Sequence, residues 1–121
     1  MPAVRWEDIL LEDVRPGVRR RGFGTNDVLL VMNLCEPGMD LRPHVHEFDQ
    51  IAMIVKGRCN YFVGDERSEM GPGSILLIPA GEEHYIEPLG EETVENIDLF
   101  APARQDLAHL TDWMREPSAT N

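Results

Sequence analysis

Short apolar runs of strand length, each closed by glycine or proline, recur along most of this chain. Val28 to Cys35 ends at Glu36-Pro37-Gly38. Ile51 to Val55 ends at Lys56-Gly57, and Cys59 to Val63 ends at Gly64-Asp65. A more polar run, Glu66 to Met70, ends at Gly71-Pro72-Gly73. Ser74 to Ile78 stops at Pro79-Ala80-Gly81, and Thr93 to Phe100 is the last strand-like run. Turn signals roughly every eight to twelve residues predict an all-β sandwich or barrel. Only the tail departs from this pattern. Leu107, Leu110 and Met114 have helical spacing, which predicts a short amphipathic helix over Arg104 to Arg115, with fraying from Pro117. No linker or repeat divides the chain, so residues 1–121 read as one domain. It has an N-terminal arm (1–23), a β core (about 24–101) and a C-terminal helix (about 103–116).

Charge narrows the partners. The 121 residues carry 11 Lys and Arg against 22 Asp and Glu, a net charge of −11. Such a chain repels nucleic acid and anionic membrane surfaces, and any anionic ligand needs a specific local cation. Hydrophobic residues at 42% are too frequent for a disordered chain, and no apolar run approaches the roughly 20 residues of a membrane helix. Met1 to Asp8 carries no apolar stretch of signal-peptide type. Cys35 and Cys59 lie inside apolar runs and form no disulfide framework. Together these predict a cytoplasmic location.

Three of the four histidines fall in two compact clusters. In an extended segment His44 and His46 point to the same face, because the side-chain period is two. Gln50 shares their parity unless a bulge intervenes. His84 follows a tight turn, and His109 on the tail helix reads as a surface residue. In the last strand Val94, Asn96, Asp98 and Phe100 share one face, and Ile97 and Leu99 the other. A carboxylate beside Phe100 is costly to bury unless it is paired or functional. The alternative is a solvent-facing edge position. Arg19, Arg20 and Arg21 read as a solvated basic face, with at most one lining a barrel mouth.

The two histidine clusters resemble the motifs of the cupin superfamily. Gly38 is followed after five residues by His44-Val45-His46, after three more by Gln50, and after six more by Gly57. Gly73 is followed after five residues by Pro79-Ala80-Gly81, and after two more by His84. Gln50 occupies a slot that is usually Glu, and Pro88 a slot that is usually Asn. The resemblance implies a double-stranded β-helix, or jelly-roll barrel. It implies one divalent metal ion (Zn, Ni, Fe, Co, Cu or Mn) held by His44, His46, Gln50 and His84. An amide in place of a carboxylate leaves the ion's charge uncompensated, which favours Lewis-acid work on an anionic oxygen ligand over oxygen chemistry.

Pro16 to Arg20, His44 to Gln50 and Asp98 to Asp106 further resemble KdgF-type cupins, which act in pectin and alginate breakdown. Members convert 4,5-unsaturated uronate monosaccharides into the linear 4-deoxy-5-keto uronate. The resemblance implies a catalytic Asp98, with Phe100 and Arg104 holding the sugar acid. From the residues alone, Phe100 also reads as core and Arg104 as half of a surface salt bridge. Ala103 and Gln105 depart from the family's usual Pro-Pro-Arg-Glu-Asp, which leaves room for another sugar acid. A small Fe(II) dioxygenase acting on an aromatic or diketone substrate, and a non-catalytic sugar-acid-binding cupin, are the competing functions. A homodimer is the family-level expectation, with the Val4-Arg5-Trp6 segment as a candidate edge.

Overall fold

The computed structural model describes residues 1–115. Among these residues, nine antiparallel strands form two sheets. Six strands pair in the order β1 (Glu12–Arg15), β2 (Val18–Gly24), β3 (Leu29–Cys35), β9 (Val94–Phe100), β4 (Gln50–Lys56) and β7 (Ile75–Ile78). The other three pair in the order β6 (Glu66–Met70), β5 (Arg58–Val63) and β8 (His84–Leu89). The sheets face one another over Val18, Cys35, Ala52, Ile54, Cys59, Tyr61, Ile78 and Val94. Each is drawn from the inward parity of its strand, which is how an alternating sequence builds a β core.

β9 is central in the larger sheet, flanked by β3 and β4. This excludes an edge position for Asp98, which is 9% exposed. Its face is the inward one, with Val94, Asn96 and Phe100. On the outward face of β7, Ile75 and Leu77 remain exposed.

Six strands lie within one residue of the six apolar runs that the sequence shows. Three others are new. Residues 12–24, nearly all of them in the segment expected as an arm, form β1 and β2, and β2 pairs with β3 along its whole length. β8 contains Pro88, which is tolerated because β8 is an edge strand whose ladder there runs with β5 on one side.

The tail does form a helix, but a tight 3-10 helix from Gln105 to Arg115. Three residues per turn align Leu107, Leu110 and Trp113 on one ridge. Trp113 rather than Met114 therefore continues the packed face, and its indole N–H donates to the Gly22 carbonyl at 2.9 Å. Leu107 and Leu110 pack with Leu29, Val31 and Phe100, with Phe48 and Ala103 alongside. Residue 116, where the helix was expected to end, and the fraying expected from Pro117 lie outside the described residues.

Candidate metal centre

His44 and His46 sit on the segment leading into β4, and His84 opens β8. A single antiparallel bridge joins them: the His44 N–H donates to the His84 carbonyl at 3.1 Å, and the His84 N–H to the His44 carbonyl at 2.9 Å. Gly81 N–H adds a bond to the His46 carbonyl at 2.8 Å. Backbone pairing thus delivers the two motifs to one place. The three rings are 4.2 to 4.9 Å apart centroid to centroid. One ligand nitrogen from each lies within 4.8 Å of the others.

Local backbone sets the tautomers. Nδ1 of His44 lies 2.7 Å from the Arg42 carbonyl, and Nδ1 of His84 lies 3.0 Å from the Glu82 carbonyl. A ring nitrogen facing a carbonyl oxygen must carry the proton, which leaves each Nε2 with a free lone pair. Three buried atoms here have no hydrogen-bond partner: His84 Nε2, His46 Nδ1 and Gln50 Oε1. Burial without a partner is unfavourable for such atoms, and an ion among them relieves it. Burial, followed by the charges of Arg104, His44 and His84, pushes the His46 pKa down to about 4. Burial lowers His84 as well. Neutral imidazoles and an amide oxygen suit a first-row divalent ion, so the residues present fit a metal.

Gln50, 3% exposed, opens β4 and lines the same cavity as His44, His46 and Asp98. Asp98 stands across the ladders from Val31 and Ala52, both fully enclosed apolar neighbours. Asn33 donates to one carboxylate oxygen at 2.9 Å and Asn96 to the other at 2.8 Å. Burial raises its pKa to about 6, against the pull of hydrogen bonds from Asn96, Gln50 and Asn33 and the charge of Arg104. Asn33 is detectable in the sequence only through its strand parity, and nothing there marks it as a partner of Asp98.

Phe100 and Phe48 meet edge to face at 5.7 Å, and His46 stacks on Phe48 at 4.9 Å. The Arg104 guanidinium lies over both phenyl rings, 4.9 Å from one centroid and 5.0 Å from the other. Asp106 grips it in a fork, Nε to Oδ1 at 3.1 Å and a terminal nitrogen to Oδ2 at 2.6 Å. Arg104 thus lines the cavity and is already ion-paired. Phe100 likewise serves both as core and as cavity wall.

None of Arg19, Arg20 and Arg21 lines the cavity, and they do not form one solvated face. Arg21 is 7% exposed, and Arg20 pairs with Glu12 at 2.8 Å. The other cations at the cavity are Arg15 and Arg42. His109 pairs with Glu12 on the surface at 2.6 Å.

Residues 29–101 match the AraC-like ligand-binding domain family. Among solved structures, KdgF from Halomonas sp. superposes with a TM-score of 0.77 at 29% identity, covering 85% of this chain and 94% of that one. An RmlC-like cupin from Shewanella frigidimarina gives 0.77 at 23% identity, covering 87% and 94%. A mutant of Bacillus subtilis oxalate decarboxylase gives 0.70 at 22% identity, covering 86% of this chain and 30% of that one. The last two likenesses carry the fold alone. No curated protein matches the chain at the sequence level. A barrel of this topology with three converging histidines, matched across 73 of its residues, belongs to the AraC-like ligand-binding domain family of cupin-type proteins.

Proposed function

We propose that this protein opens the ring of a 4,5-unsaturated uronate monosaccharide, giving the linear 4-deoxy-5-keto uronate. The observation that carries this reading is Asp98, a buried carboxylate in the cavity lined by His44, His46 and Gln50, with its pKa raised to about 6. A group poised there can both accept and deliver a proton near neutrality. Likeness to KdgF at 29% identity supports the same reading.

His44, His46, Gln50 and His84 would hold a divalent ion, which when bound would supply Lewis acidity toward the substrate's oxygens. The chain's own residues do the rest. Asp98, as a carboxylate held by Asn33 and Asn96, takes the proton of the C1 hydroxyl. The bond from C1 to the ring oxygen breaks, C1 becomes an aldehyde, and the electron pair leaves on that oxygen as an enolate. Asp98, now an acid, delivers the proton to C4, and C5 becomes a ketone. No atom is gained or lost and no oxidant is used. Phe100, backed by Phe48, forms an apolar wall that keeps water from the enolate.

The test is to add the purified protein to the unsaturated uronate under strict anaerobiosis and follow the ultraviolet absorbance of the conjugated double bond. The expected result is an accelerated loss that a chelator abolishes and that Asp98→Asn slows by about 10²- to 10⁴-fold. A rate equal to spontaneous opening would discard the assignment. A strict requirement for oxygen would favour a dioxygenase.

A further inference from the structure

Among the described residues, three arginines and one carboxylate are the charged side chains lining the cavity, in a chain with twice as many acidic as basic residues. The arginines are not equivalent. Arg104 is clamped by Asp106 and covered by two phenyl rings, with its side chain 17% exposed. Among the described residues, Arg15 and Arg42 have no carboxylate partner within salt-bridge distance. The Arg15 Nε is buried and makes no hydrogen bond. A guanidinium left this way is unfavourable unless a ligand completes it.

The fold brings these two cations to one rim. Arg15 ends β1, and the hairpin into β2 turns at Gly17. The Glu36 N–H donates to the Gly17 carbonyl at 2.8 Å, and Gly17 lies so close to Met39 that an added Cβ would stand 2.9 Å from the Met39 Cβ. The tip of the hairpin is thus seated on the segment that runs on through Arg42 to His44. Arg42 is itself exposed, while its backbone carbonyl orients the His44 ring.

We infer that Arg15 and Arg42, not Arg104, receive the substrate's carboxylate and make the site selective for a sugar acid over its neutral ester. This rests on the uronate reading above and adds to it the residues that recognise the acid. Arg104, neutralised in advance by Asp106, holds Phe100 and the Phe48 behind it in place. A planar guanidinium pairs with a carboxylate through charge-assisted hydrogen bonds that a neutral ester cannot fully accept.

The experiment uses the metal-loaded protein carrying Asp98→Asn, so that the ligand is bound without conversion. Calorimetry compares the 4,5-unsaturated uronate with its methyl ester. The acid should bind more tightly than the ester. Arg15→Gln and Arg42→Gln should each weaken the acid about tenfold or more, the contribution of a charged hydrogen bond, and leave the ester unchanged. Arg15→Lys should restore part of the preference. Arg42, on an exposed segment, carries the test if Arg15→Gln does not fold. Equal binding of acid and ester overturns the inference. So does a preference that survives both substitutions, or one abolished by Arg104→Gln alone. Absence of turnover in the otherwise unsubstituted protein, with the binding pattern as stated, discards the ring-opening reaction and leaves the arginine pair standing.

Discussion

Asp98 is held from both sides by amide N–H groups, Asn33 on one oxygen and Asn96 on the other, while its neighbours across the sheet are apolar. Its pKa rises from 3.8 to about 6, and that of His46 falls from 6.5 to about 4. The two shifts oppose each other in folding. As pH falls from 6.5 to 4, the unfolded chain gains a proton on His46 that the folded protein refuses, so stability declines. Over about pH 6 to 3.8 the folded protein gains a proton on Asp98 before the unfolded chain does, so stability rises. In the metal-free protein the two changes offset each other. Asp98→Asn removes the second, and its denaturation midpoint should fall more steeply between pH 6.5 and 4 than that of the unsubstituted protein. An equally shallow profile would show that Asp98 is not raised. Strand parity and motif spacing made the histidines, Gln50 and Asp98 legible in the sequence. Arg15 and Arg42 were not, because only the docking of a hairpin on a distant loop brings them to the cavity.

The C-terminal helix reaches its place through a missing side chain. A Cβ on Gly22 would stand 2.6 Å from the Leu110 Cβ, closer than packed atoms approach. The bare backbone of β2 therefore lets Leu110 settle beside Leu29 and Phe100, while the Gly22 carbonyl takes the Trp113 indole bond. Gly22→Ala should displace the helix and destabilise the protein by about 1–3 kcal/mol, the usual range for overpacking. Denaturant unfolding measures the loss, and a changed tryptophan emission should accompany it. An unchanged midpoint would mean that the helix does not rest there. β2 was illegible for a related reason. Its three successive arginines read as solvated, whereas Arg21 is enclosed and directs a guanidinium nitrogen at the Ile9 carbonyl. Long arginine stems can cover a sheet as well as an aliphatic side chain does. The tail's true ridge escaped notice because a period of three and one of 3.6 both select Leu107 and Leu110, and diverge only at Trp113.

For the molecule as a whole, the two sheets and the candidate centre form one thermodynamic unit, since each motif contributes strands to the barrel and ligands to its interior. A divalent ion that binds only the folded state stabilises it by mass action, about 2.7 kcal/mol at a hundred times Kd. Thermal unfolding should therefore shift upward with added Zn, Ni, Co or Mn, return with chelator, and show no shift in His84→Ala. A shift that persisted in that variant would place the ion elsewhere. The acidic exterior attracts cations generally, so the substituted protein is the necessary control. The paired backbone of His44 and His84 has a bearing on assembly order. Since these two donors are braced by backbone hydrogen bonds spanning the gap between the sheets, their convergence does not wait for a cation to draw them in. A barrel closed by these backbone bonds is organised for an ion in advance, so that exchanging one divalent species for another should not require the polypeptide to unfold.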